Sequence, residues 1–160
     1  MKDSQITCIS PLNCLIHLSY LNLQNTKVFD ITPLHRCTSL QFVNLSSTRV
    51  TDISWLSKCL DLRHVDLSNT KITDIDSLSA CSKLSRLFLY HSHVDDIRPL
   101  TNSAKLWLLD ISWSKVNSVA CLSSCSYLHY LSIEGLNLID LDQLETTVKI
   151  VENRFSFDLY

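Results

Sequence analysis

Glycine is nearly missing from this chain, with one in 160 residues, where about 7% is usual. That excludes a glycine-rich loop that cradles phosphate and any fold built on glycine turns. Long apolar runs are missing too. No stretch reaches the roughly 18 consecutive apolar residues that a membrane span needs. The first residues, Met1 to Leu18, are interrupted by Asp3, Ser4, Gln5, Thr7 and Asn13, so they lack the continuous apolar core of a signal peptide. A formal net charge of -2 gives no electrostatic reason to expect nucleic acid or an anionic membrane as partner. Seven cysteines, an odd number with no CxxC pair, point to a reducing compartment and hence to the cytoplasm. What is present is a globular composition, 46% apolar and 19% charged, in a length that suits one domain with a real core.

The apolar residues are periodic. The motif L-x-x-L-x-L occurs at Leu18, Leu21, Leu23 and returns at Leu40, Val43, Leu45 and at Leu62, Val65, Leu67. It continues through Leu84, Leu87, Leu89, then Leu106, Leu109, Ile111, then Leu128, Leu131, Ile133. Each set lies 22 residues after the last, without a slip. Three further columns keep the step: Val28 to Leu138, Ile31 to Leu141, and Leu34 to Leu144. Projected backwards, the step falls on Ile6, Ile9 and Leu12, a half repeat ahead of the first whole one.

Alternation in x-L-x-L-x puts the two apolar residues on one side and the others on the opposite side, which is a strand. The columns at 28, 31 and 34 are three apart, a spacing for turns or short 3₁₀ helix. One such coil cannot bury its own leucines, but stacked coils share a core and pair their strands in parallel. Asp30, Asp52, Asp74, Asp96 and Asp140 precede the isoleucine column and are placed to cap each return segment. Pro33 and Pro99 fall in its first turn, where a missing N–H costs little. Thr26, Thr48, Thr70, Ser92 and Ser114 follow the strands, with hydroxyls placed to bond the turn backbone.

The stretch Leu62 to Leu78, LRHVDLSNTKITDIDSL, resembles the 22-residue leucine-rich repeats of the protein-phosphatase regulatory subunit and of bacterial internalins. So do the segments Asp30-Ile-Thr-Pro-Leu34 and Asp96-Ile-Arg-Pro-Leu100. Thr or Ser stands where that family usually has Asn, and in this and in its return-segment cysteines the chain resembles repeat arrays of some protozoan proteins. The resemblance implies an α/β solenoid: an arc with a parallel β-sheet on the concave face and 3₁₀ or turn segments on the convex face. It also implies protein binding on the concave face, and it names no partner. Along the chain this gives one domain, with a half repeat over 1–17, six repeats over 18–149 and an irregular end or cap over 150–160. Asn153 falls where a leucine is due, and Phe155, Phe157 and Leu159 alternate like a strand. The expectation is either a fragment of a longer array or a makeshift C-terminal cap. An uncapped N-terminal edge would offer a route to self-association.

Function is expected among the outward strand residues, which core packing does not dictate. Six of the 24 are aromatic, namely Tyr20, Phe42, Phe88, Tyr90, Trp107 and Tyr130, against 8% for the whole chain. Phe88, Tyr90, Trp107, Leu108 and Tyr130 fall in three adjacent strands, with Asp110 among them. Trp113 stands at the rim, and Arg63, His64, Asp66 and Arg86 lie alongside. Exposed Trp, Tyr and Arg are the residue types enriched at binding hot spots.

Other constellations carry less. Cys37, Cys59, Cys81 and Cys125 share one column with Ser103, a pattern for small buried hydrophobes and not for zinc, which draws on close pairs. His91-Ser-His93 reads as a solvated turn. His64, Asp66 and Ser68 share a face but stand about 7 Å apart, too far for a catalytic relay. No cofactor, metal or catalytic residue is expected. The sequon Asn44-Leu-Ser46 lies on the strand face and is expected to be unused. The sequence therefore points to a non-enzymatic module that binds a protein on its concave face, as a regulatory or adaptor subunit. Two other readings stay open: a scaffold segment with no ligand of its own, and an extracellular ligand sensor.

Overall fold

The computed structural model describes residues 1–144 and 147–151. Its strands are short: β1 (Tyr20–Asn22), β2 (Phe42–Asn44), β3 (His64–Asp66), β4 (Arg86–Phe88), β5 (Leu108–Asp110), β6 (Tyr130–Ser132) and β7 (Lys149–Val151). They form one parallel sheet in the order of the chain. From β1 to β6 the register follows the repeat, so Leu21, Val43, Val65, Leu87, Leu109 and Leu131 pair in turn. Three-residue strands hold because pairing continues past them. The Leu23 N–H donates to Asn44 O at 2.9 Å, Leu45 to Asp66 at 2.8 Å, Leu67 to Phe88 at 2.9 Å and Leu89 to Asp110 at 2.7 Å.

Each coil returns through a 3₁₀ segment, such as Ser54–Lys58 and Asp76–Ala80. All three prolines, Pro11, Pro33 and Pro99, sit in the first turn of one. Between the sheet and the 3₁₀ layer lies one continuous core running from Ile9 to Leu131, with its leucines, isoleucines and valines almost fully buried. The expected solenoid arc is the architecture observed.

The aspartate caps form in four coils. Asp30 Oδ1 accepts the Thr32 N–H at 2.9 Å, Asp52 that of Ser54 at 2.8 Å, Asp74 that of Asp76 at 2.7 Å and Asp96 that of Arg98 at 2.8 Å. Asp140 differs. It was expected to cap its own coil, but it reaches back to the preceding one, where Ser118 stands in the aspartate column. There it accepts the Val119 N–H at 2.8 Å, the Ala120 N–H at 3.1 Å and the Ser118 hydroxyl. These donors, Ser118 first, hold its carboxyl below the usual carboxylate range. The hydroxyl column works where it is threonine: Thr26, Thr48 and Thr70 donate to Leu23, Leu45 and Leu67 carbonyls at 2.8, 2.6 and 2.6 Å. Buried Ser92 Oγ has no such partner, because serine lacks the methyl that fixes the threonine rotamer.

Two features were not foreseen. Ile150 was expected to continue the Leu128 column. It pairs with Leu131's position instead, because the last coil is shortened by three residues. And one position per coil, Asp3, Asn25, Ser47, Asn69, His91, Trp113 and Gly135, has a φ between 52° and 74°. This left-handed residue turns the chain off the strand, a task for Gly or Asn. Trp113 is there at a cost, since bulky side chains seldom take this conformation. Its N–H donates to Glu134 O at 2.8 Å, and its ring lies over Gly135. A Cβ on Gly135 would stand 2.6 Å from Cδ2 and Cε3 of that ring. The chain's lone glycine is therefore where both a positive φ and a close approach require it. The expected strand or cap at Phe155, Phe157 and Leu159, and the misfit at Asn153, lie outside the described residues.

Gly135→Ala is expected to lower stability by about 2–3 kcal/mol, combining left-handed strain with overlap on Trp113. In a Trp113→Ala background only the backbone part, about 1–2 kcal/mol, should remain. Urea unfolding of the two singles and the double checks this through the coupling between them.

Candidate functional site

The open face of the sheet has two rows with different fates. The second row, Asn22, Asn44, Asp66, Phe88, Asp110 and Ser132, comes from the last residue of each strand. Its Asn and Asp side chains fold back onto the turn that follows. Asn22 Oδ1 accepts the Gln24 N–H at 3.0 Å, Asn44 that of Ser46 at 2.9 Å, Asp66 that of Ser68 at 2.9 Å and Asp110 that of Ser112 at 3.0 Å. These are Asx turns, and they close the strand ends. Asp110 is accordingly 0% exposed, and Phe88, between Asp66 and Asp110 in register, is 3% exposed. Leu108 is 6% exposed. These three candidates lie on the expected face but under their neighbours: Asp110 and Phe88 through the Asx row, and Leu108, the first-row residue of β5, through close packing between Arg86 and Tyr130 in register. Buried Asn44 also leaves the sequon's amide inaccessible in the folded chain.

The first row otherwise stays accessible and is lined with rings and cations. Tyr20, 57% exposed, stacks on Phe42 with centroids 4.1 Å apart and planes at 12°. Phe42 meets His64 at 6.4 Å. Arg86, in register with His64, places its Cζ 5.5 Å from the centre of the Trp107 ring. Trp107, 36% exposed, packs edge-on against Tyr130 at 5.0 Å and 71°. Lys149 Nζ closes the series 5.7 Å from the Tyr130 ring. Tyr20, Phe42, His64, Arg86, Tyr130 and Lys149 thus share one register row, whose β5 member, Leu108, is buried; Trp107, the residue before β5, fills its place in a band roughly 29 Å long at the usual parallel spacing of about 4.8 Å.

Within the band, burial first, then the charges of Arg86 and Arg63, push His64 below the ordinary histidine value, so it is neutral at pH 7. Its buried Nδ1 has no hydrogen-bond partner among the described residues. Arg63 is exposed beside it. Tyr90 lies further along the coil and meets the His91 ring at 4.9 Å, and His91 stacks on Trp113 at 5.9 Å and 13°. Trp113, 45% exposed, stands at the rim as expected. Tyr20 and Phe42 were counted among the outward aromatics but not placed in the expected patch, and Lys149 was not singled out from the sequence. The first two share the His64 column, a signal the repeat already held. Lys149 enters through the shortened last coil.

The cysteine column is internal. Cys37, Cys59, Cys81 and Cys125 are buried free thiols. Their sulfurs point at carbonyls of the coil before: Cys59 at Cys37 O at 3.6 Å, Cys81 at Cys59 O at 3.7 Å and Cys125 at Leu100 O at 3.5 Å. Burial pushes Cys59 up to about 12 and Cys81 and Cys121 up to about 11, so they are unreactive thiols at neutral pH. Cys8 and Cys14 are exposed. The Ser10 hydroxyl and then its N–H lower the Cys8 value.

A family model for leucine-rich repeats in two copies matches residues 38–80 and 61–102. Over that stretch the chain matches leucine-rich repeats, and its 22-residue repeat and solenoid are similar to that architecture along the rest of the described chain. Among such proteins it resembles the internalins: internalin C2 of Listeria monocytogenes superposes with a TM-score of 0.86 at 26% identity, over 94% of this chain and 69% of that one. A leucine-rich-repeat protein of Leptospira interrogans aligns with a TM-score of 0.84 at 16% identity, over 92% of this chain and 40% of that one. The ectodomain of the receptor kinase GASSHO1/SCHENGEN3 of Arabidopsis thaliana aligns at 0.74 and 20% identity, over 84% of this chain and 17% of that one. No curated protein matches in sequence.

Thiol chemistry separates the two cysteine classes. An aromatic disulfide reagent at neutral pH is expected to label Cys8 first and Cys14 next. The other five should react only on unfolding, bringing the count to seven. Fewer than seven thiols in the denatured native preparation would reveal a disulfide and contradict a reducing compartment.

Proposed function

We propose that this chain is a protein-binding module that docks its partner on the concave sheet, acting as an adaptor or regulatory subunit in the cytoplasm. Leucine-rich-repeat proteins generally bind protein partners. One observation carries the finer reading: the band of Tyr20, Phe42, His64, Arg86, Trp107, Tyr130 and Lys149, accessible and prearranged by ring contacts. Large, stiff side chains that are already ordered lose little entropy when a partner covers them. Trp, Tyr and Arg are the types that dominate binding energy once water is excluded. Trp113 and Tyr90 extend the surface to the rim. The Arabidopsis ectodomain, described in complex with Casparian strip integrity factor 2, is a case of this architecture holding a ligand. Free buried thiols in four of the six repeats suit a reducing location.

The test is affinity capture with wild-type chain and with Trp107→Ala and Tyr130→Ala, each checked for an unchanged circular-dichroism spectrum. Each substitution is expected to weaken the captured partner by about 2 kcal/mol, roughly 30-fold. Full affinity in both variants would remove the band from the binding surface.

A further inference from the structure

The coil leaves each strand through its left-handed residue, and two residues later it presents one basic side chain. That position is Lys27, Arg49, Lys71, His93 and Lys115 in five consecutive coils, and all five are exposed. The next residue, Val28, Val50, Ile72, Val94 or Val116, is buried in the core. Alternation therefore turns the basic residue outward, and the residue after the valine or isoleucine beside it. Backbone bonds set the step between coils: Lys27 N–H to Ile6 O at 3.0 Å, Arg49 to Val28 at 2.9 Å, His93 to Ile72 at 3.1 Å and Lys115 to Val94 at 2.9 Å.

The result is a straight ladder of basic groups about 4.8 Å apart, roughly 19 Å end to end. It lies on the flank of the solenoid, apart from the concave band. None of the five makes an ion pair among the described residues; the ion pairs found there join Lys83 to Asp61 and Arg98 to Asp96. The row beside the ladder is Phe29, Thr51, Thr73, Asp95 and Asn117, with one carboxylate. Beyond it the carboxylates of Asp30, Asp52, Asp74 and Asp96 accept the cap N–H groups.

We propose that this flank is a second docking surface, which takes an extended acidic peptide segment of a partner protein running along the solenoid axis. An extended peptide advances about 3.3 Å per residue, so about six residues cover the ladder and aim three carboxylates at it. Flexible lysine and arginine arms absorb the difference between the two steps, and the Thr51, Thr73 and Asn117 side chains offer donors alongside. The strip is one basic residue wide, and that width favours a single peptide. A nucleic-acid duplex, with a charge about every 1.7 Å, or a planar anionic membrane would press against the aspartate row next to it.

The test uses the full chain and a fluorescent octapeptide of alternating Glu and Ser, read by anisotropy at low salt. Wild type binds it. The protein carrying Lys27→Gln, Arg49→Gln, Lys71→Gln and Lys115→Gln binds at least about 10-fold more weakly, as four exposed ion pairs would give, and melts no lower than wild type. A charge-matched control, Lys2→Gln, Arg36→Gln, Lys58→Gln and Lys105→Gln, keeps the wild-type affinity, and so does Trp107→Ala, which reports on the concave face alone. A peptide with Gln for Glu does not bind. Equal loss in the two quadruple variants, or no binding by wild type, overturns the proposal. So does tighter, ladder-dependent binding of a single-stranded oligonucleotide or of phosphatidylserine vesicles.

Discussion

A coil of 22 residues cannot bury its own leucines, and everything else in this molecule follows from the way neighbouring coils solve that problem together. The core is a row of like residues, Leu21, Val43, Val65, Leu87, Leu109 and Leu131 in one column, that is dry only because the next coil covers it. Inter-coil backbone bonds fix the spacing, and cysteine sulfurs directed at carbonyls of the coil before fill the 3₁₀ layer. A slip by one residue in any coil would turn its leucines outward. The strict step is the price of a shared core.

The same constraint divides the open face of the sheet into strand-end side chains that build turns and a more accessible band of rings and cations beside them. In four coils the strand-end side chain closes the left-handed turn, Asn22, Asn44, Asp66 and Asp110 accepting the backbone N–H two residues on. The row before it makes no such Asx turn. Rings and cations collect there, Tyr20 stacking on Phe42 in register and Arg86 reaching the Trp107 ring just ahead of β5. The flank beyond the turn is equally unconstrained, and there the ladder of basic residues repeats once per coil.

The fold was legible in the sequence because the core columns repeat without interruption. The aspartate caps were legible for the same reason, save Asp140, whose carboxylate serves the coil before, where Ser118 stands in the aspartate column and accepts the Ala120 N–H only at 3.5 Å. The site was legible only in part. Counting outward positions by alternation treats every non-leucine position as free, and it gave Phe88, Leu108 and Asp110 a freedom that close coil packing denies them. The spacing Asn-x-Ser and Asp-x-Ser at 44–46, 66–68 and 110–112 was the available sign of the Asx turns. The left-handed column was hidden because its residues, from Asn69 to Trp113, share no chemistry. Lys149 was hidden because the last coil leaves the 22-residue step.

The division between the rows is the central claim, and thermal melting tests it directly. Asp66→Ala and Asp110→Ala, each removing a buried acceptor from a turn, should lower the melting temperature by about 4–8 °C. Tyr20→Ala and Trp107→Ala, in the exposed band, should leave it within about 2 °C, as accessible side chains outside the core do. Band substitutions that melt the chain as far as the second-row ones would contradict the account, since no row of the sheet would then be free to bind.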